Sequence, residues 1–134
     1  MNINFKVIPH GEQRYDTVGD YYHKNGLWRF RVSKLGDPCY EMLVFLHEMI
    51  EFMLCRVAGI KPKDIDRWDL EYESTRAMPG RKLAPCECTF YEEPGDDPHA
   101  PYHAQHQVAS KCERLIAEAL GVKWDAYEAS VERL

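Results

Sequence analysis

The segment INFKVIP, from Ile3 to Pro9, alternates apolar and polar residues, and that period of two predicts a strand. VGDYYHKNGLWRFRVS predicts a hairpin. Asn25-Gly26 marks its turn, because both residues tolerate positive φ. Along the second arm Leu27, Arg29 and Arg31 face one way, and Trp28, Phe30 and Val32 the other. The period then lengthens. Asp37-Pro38 reads as an N-cap followed by a proline in the first helical position, and Gly59 as a stop, giving a core helix over 37–59. Ile65, Trp68 and Tyr72 mark the inner face of a short amphipathic helix whose outer face is acidic. STRAMPGRKLAPCECTFYEEPGDDPHAP is rich in proline and predicts a long loop. A second core helix is expected over 98–121, closed by Gly121, and VKWDAYEASVERL adds a short terminal helix. The expected fold is α+β in a single domain, 1–134. A small antiparallel N-terminal sheet or hairpin (β-rich over 1–35) packs on the long core helix and the second, C-terminal helix.

The core helix, EMLVFLHEMIEFMLCRVAG, carries an unusual mixture. On a helical wheel Val44, His47, Glu48, Glu51 and Cys55 share one stripe. Met42, Phe45, Met49, Phe52 and Met53 take the opposite side, and Leu43, Leu46, Ile50, Leu54 and Val57 fill much of the rest. No broad polar face remains, so the helix is expected to be buried on most sides. Burying an imidazole and two carboxylates is costly unless they are paired or bound to a cation. His47 and Glu51 stand at i and i+4, so their side chains point together and suit two ligands of one cation, or a plain ion pair. Glu48, beside them, is placed to reach water held on that cation. DDPHAPYHAQH supplies His99, His103 and His106, which share a face if the helix includes all three. The apolar stripe of that helix runs through Val108, Cys112, Leu115, Ile116 and Ala119, with the histidines towards its edge.

Composition narrows the field. The chain has 134 residues and a net charge of −5, which disfavours nucleic-acid binding through a broad basic surface. No apolar run reaches the roughly 18 residues of a membrane span, and the N-terminus shows no signal-peptide pattern. The five cysteines, an odd number, read better as free thiols of a cytoplasmic protein than as a disulfide framework. Cys86-Glu87-Cys88 is C-x-C, without the partner pair of a zinc ribbon.

The spacing H-E-x-x-E in HEMIE is the metalloprotease signature H-E-x-x-H with its last ligand changed to glutamate. Hairpin, H-E helix and later ligand-bearing helix together resemble the zincin-like metallopeptidases over about residues 27–120. That resemblance implies zinc, with His47 as first ligand, Glu51 in place of the second histidine, a ligand from the later helix, and Glu48 as general base. A carboxylate ligand is harder than imidazole and admits manganese or iron. The chain as a whole also resembles small phage and bacterial proteins sharing LHE..E and a later PGDDP.APYH..H, a kinship that implies no chemistry.

The leading expectation is a metal-dependent hydrolase acting on a small-molecule or peptide substrate. His47, Glu51 and His103 or His106 hold the cation, and Tyr102 or a remaining histidine stabilises the oxyanion. A non-catalytic metal-stabilised module, with the ion stapling two helices, is the alternative. A magnesium-dependent nucleotide pyrophosphohydrolase is a further one, with Glu48-x-x-Glu51 and Glu93-x-x-Asp96 as its acidic pairs.

Overall fold

The computed structural model describes residues 1–76 and 91–134, and Cys86 and Cys88 lie outside them. Three strands, β1 (Ile3–Ile8), β2 (Gly19–Lys24) and β3 (Leu27–Ser33), form a sheet in the order β1-β3-β2. Four helices follow: α1 (Pro38–Ala58), α2 (Pro62–Arg76), α3 (His103–Ala119) and α4 (Trp124–Glu132). The architecture is α+β.

The β2–β3 hairpin turns at Asn25 and Gly26, whose φ values of 54° and 72° are those of a two-residue primed turn. The sheet is mixed rather than wholly antiparallel, because β1 runs parallel to β3, pairing Phe5 with Phe30 and Val7 with Val32. Alternation along a strand fixes its faces but carries no information about the direction of its neighbour.

α1 keeps its expected ends. The Asp37 side chain accepts from the Cys39 N–H, Pro38 occupies the first turn, and Gly59 closes the helix at φ 74°. Its aromatic flank lies on the sheet. Phe45 meets the rings of Phe5 and Phe30, and Phe52 those of Tyr21, Trp28 and Phe30, with centroids 4.3–5.6 Å apart. The neighbouring flank is open, contrary to the expectation of burial on most sides: Met42, Met53 and Val57 are exposed. A sheet on one side and a helix on another leave part of the circumference to solvent.

α3 packs along α1 in an orientation opposite to its hydrophobic pattern. His106, Ala109, Glu113 and Ala117 face inward, whereas Val108, Leu115 and Ile116 of the apolar stripe are exposed. The two alanines allow close approach of the helices, and the two polar residues meet polar partners on α1. Ile65 and Tyr72 of α2 are buried, as expected. No helix among the described residues is long and apolar enough to cross a membrane.

Candidate metal centre

α1 delivers His47 and Glu51 one turn apart, and α3 delivers His106 to the same point. His106 Nδ1 lies 3.0 Å from Glu51 Oε2 and 3.1 Å from His47 Nε2, and His47 Nε2 lies 3.4 Å from the same carboxylate oxygen. All three residues are buried. A tetrahedral ion with ligand bonds of about 2.0–2.1 Å sets its ligands about 3.3–3.4 Å apart, close to this triangle. The described residues thus contain a His/Glu grouping that can hold a metal ion.

The back of the site fixes its front. His47 Nδ1 donates to Glu113 Oε2 at 2.8 Å, and the Tyr127 hydroxyl of α4 donates to Glu113 Oε1 at 2.5 Å. A carboxylate accepts only, so Nδ1 carries the proton and Nε2 is the nitrogen turned toward Glu51 and His106. The Tyr21 hydroxyl donates to Glu51 Oε1 at 3.4 Å, leaving Oε2 to face the two imidazoles.

Burial alone would lower the His47 pKa, but its hydrogen bonds to Glu113 and Glu51 outweigh that and hold it well above the usual imidazole value. His106 behaves likewise, the nearby carboxylates of Asp96, Glu51 and Glu93 prevailing over burial. The cost of burying Glu51 is exceeded by its bonds to His106 and His47, which keep it ionised. Protons therefore occupy the imidazoles where a cation would otherwise sit, and the two compete.

Glu48 differs. Burial first, and then the charge of Glu51, push its pKa well up. It lies over Gly19 of β2, where an added Cβ would sit 2.6 Å from Glu48 Oε1. Glu48, Glu51 and His106 line one wall of a cleft of about 620 Å³, whose other walls include Tyr15, Asp20 and Asp69. Its size suits a small ligand or a short stretch of peptide.

The other expected residues have different neighbours. α3 begins at His103, so His99 precedes the helix and does not share its face, and its ring bonds Asp97 at 3.0 Å. His103 Nδ1 bonds the Gly95 carbonyl at 2.9 Å. Neither belongs to a metal-competent grouping among the described residues. The Tyr102 hydroxyl is taken by Asp69 at 2.5 Å, which leaves its ring rather than its oxygen against His106. Glu113 was not anticipated. It stands two helical turns from His106, on the same face, and that spacing was the available signal. Glu93 and Asp96 also reach the site, from a 3-10 turn (Pro94–Asp96) ahead of α3.

Compared with known protein families, curated proteins and solved structures, the chain matches none.

Proposed function

We propose that this chain is a zincin-like, metal-dependent hydrolase that holds one divalent cation, zinc foremost, on His47 Nε2, Glu51 Oε2 and His106 Nδ1. The observation that carries the reading is the triangle of those three buried atoms, 3.0–3.4 Å on each side, with a carboxylate bonded behind His47. Buried charge of this density is costly, and a shared cation is an effective compensation. When bound, the cation would lower the pKa of a water in its open position and polarise a substrate carbonyl.

The chain's own residues supply the rest. Glu48, its pKa raised by burial and by Glu51, takes a proton from the attacking water and passes it to the leaving group. Glu113 and Tyr127 keep the His47 ring from rotating. The adjoining cleft gives the substrate a place beside these groups, which favours catalysis over a purely structural ion. A peptide or other small amide, met in the cytoplasm, is the substrate class that the H-E-x-x-E spacing supports. The pyrophosphohydrolase alternative asks for two helical acidic pairs, and Glu93 and Asp96 stand in a short 3-10 turn instead.

Glu48→Gln tests the assignment. With zinc-loaded protein and a fluorogenic peptide library, the variant should keep its metal and lose about 10²–10⁴ in rate. Unchanged turnover in the variant would remove Glu48 from the mechanism.

A further inference from the structure

We propose that Glu93, Asp96 and the outer nitrogen of His106 form a second divalent-cation position at the mouth of the cleft, so that His106 bridges two ions. The proposal rests on the reading of His47, Glu51 and His106 as the inner site.

Two buried imidazoles here each have carboxylate behind them, and the two arrangements differ. Behind His47, Glu113 Oε2 lies 2.8 Å from Nδ1 in a well-formed hydrogen bond. Behind His106, Glu93 Oε2 and Asp96 Oδ1 approach Nε2 to 3.0 and 3.2 Å, yet Nε2 is fully buried and forms no hydrogen bond among the described residues. Both oxygens lie within contact distance but off the N–H direction. An N–H donor gains little from carboxylates so placed, because hydrogen bonds weaken steeply away from linearity. An ion lying along the ring nitrogen's lone pair, with the two oxygens as its flanking ligands, accounts for both the short distances and the missing hydrogen bond. The side chain of His106 is only 5% exposed, so its unpartnered nitrogen is aimed into this position rather than into bulk solvent.

The turn that carries the carboxylates is fixed from two sides. Trp68 Nε1 of α2 donates to the Pro94 carbonyl at 3.0 Å, and His103 Nδ1 bonds the Gly95 carbonyl at 2.9 Å. Gly95 lies directly on the His106 ring, where a Cβ would come within 2.5 Å of Cγ. Glu93 and Asp96 are thereby held within 3.2 Å of Nε2. Two carboxylates balance a divalent charge. Their side chains, 51% and 41% exposed, leave room for waters to complete the shell. Oxygen ligands with one imidazole suit a harder ion of the manganese type. Both nitrogens of His106 are ligands at once only after the ring loses its remaining proton, which passes to solvent as the outer ion binds.

Mn²⁺ is the probe. Equilibrium dialysis with electron paramagnetic resonance detection should count two Mn²⁺ per wild-type chain, one in the double variant E93Q/D96N and one in E51Q. The changes at Glu93 and Asp96 are isosteric and partly exposed, so folding should be retained, as circular dichroism would verify. A single ion in wild type, kept by E93Q/D96N and lost in E51Q, would overturn the outer position and leave the inner site standing. A single ion lost in E93Q/D96N and kept in E51Q would overturn the shared-ligand arrangement and the inner site with it.

Discussion

Gly95→Ala sets two effects against each other. Gly95 is buried in its 3-10 turn and does not belong to the positive-φ positions, so alanine can adopt its backbone conformation. Ordinarily such a change stabilises by about 0.4–1 kcal/mol, by restricting the unfolded chain. Here the new Cβ would stand 2.5 Å from His106 Cγ, 2.7 Å from Nδ1 and 2.8 Å from Tyr102 Cε2. Carbon atoms in contact prefer about 3.5–4.0 Å, so the overlap is about 1 Å. Neither ring is free to yield: Tyr102 is bonded to Asp69, and His106 to Glu51. Moving the turn instead would stretch the Trp68–Pro94 and His103–Gly95 bonds. Overpacking of this kind costs about 1–3 kcal/mol, and each weakened hydrogen bond adds about 1 kcal/mol. The clash wins, with a net loss of about 2 kcal/mol that lowers the urea midpoint by roughly 1 M. Gly11→Ala is the control, since nothing lies within 4 Å of its Cβ, and it should be neutral or slightly stabilising. Urea unfolding followed by circular dichroism, with zinc affinity measured on the same samples, reads both effects. A Gly95→Ala protein as stable as wild type, with unaltered zinc affinity, would refute the placement of the turn on His106.

Three further outcomes follow from the same geometry. Glu113→Gln keeps the shape but removes the charge behind His47, and should weaken zinc about 10–100-fold in a chelator-competition titration; unchanged affinity would detach Glu113 from the site. Zinc affinity should fall on acidification, because both imidazoles hold protons below their raised pKa values and each proton displaced costs about tenfold per pH unit; a flat profile between about pH 8 and 6 would contradict the competition. Burial, working against the bonds from Tyr102 and Tyr15, raises the Asp69 pKa from 3.8 to about 7. The unfolded chain ionises first, so stability falls as pH rises through that window, and Asp69→Asn should flatten the fall by about 1–2 kcal/mol in urea titrations at each pH.

The sequence shows α1 clearly because each of its signals is local. Asp37-Pro38 and Gly59 bound it, and the i, i+4 spacing sets His47 and Glu51 together. The Asn25-Gly26 turn is equally local. What stayed hidden depends on partners distant in sequence. The parallel pairing of β1 with β3 joins Phe5 to Phe30 and leaves no mark in either strand alone. α3 is the instructive case. Its apolar residues suggest one inner face, but the structure turns His106 and Glu113 inward, because His47 and Glu51 on α1 offer them partners that solvent-facing leucines do not need. A polar stripe meeting a polar stripe outweighed the hydrophobic pattern. Glu93 and Asp96 sit in a proline- and glycine-bearing stretch whose turn gives no periodicity to read.

In the proposed hydrolase, His47 and Glu51 of α1 meet His106 of α3 around one shared ion. The most direct measurement is elemental analysis of tag-free protein supplied with one equivalent of zinc and desalted, made in the E93Q/D96N background so that only the inner site can hold the ion, with that protein beside its His47→Ala and Glu51→Gln derivatives. Stoichiometric zinc in the E93Q/D96N protein, lost in both derivatives while circular dichroism shows them folded, is the expected result. Zinc absent from all three, or retained equally by all three, would contradict the account.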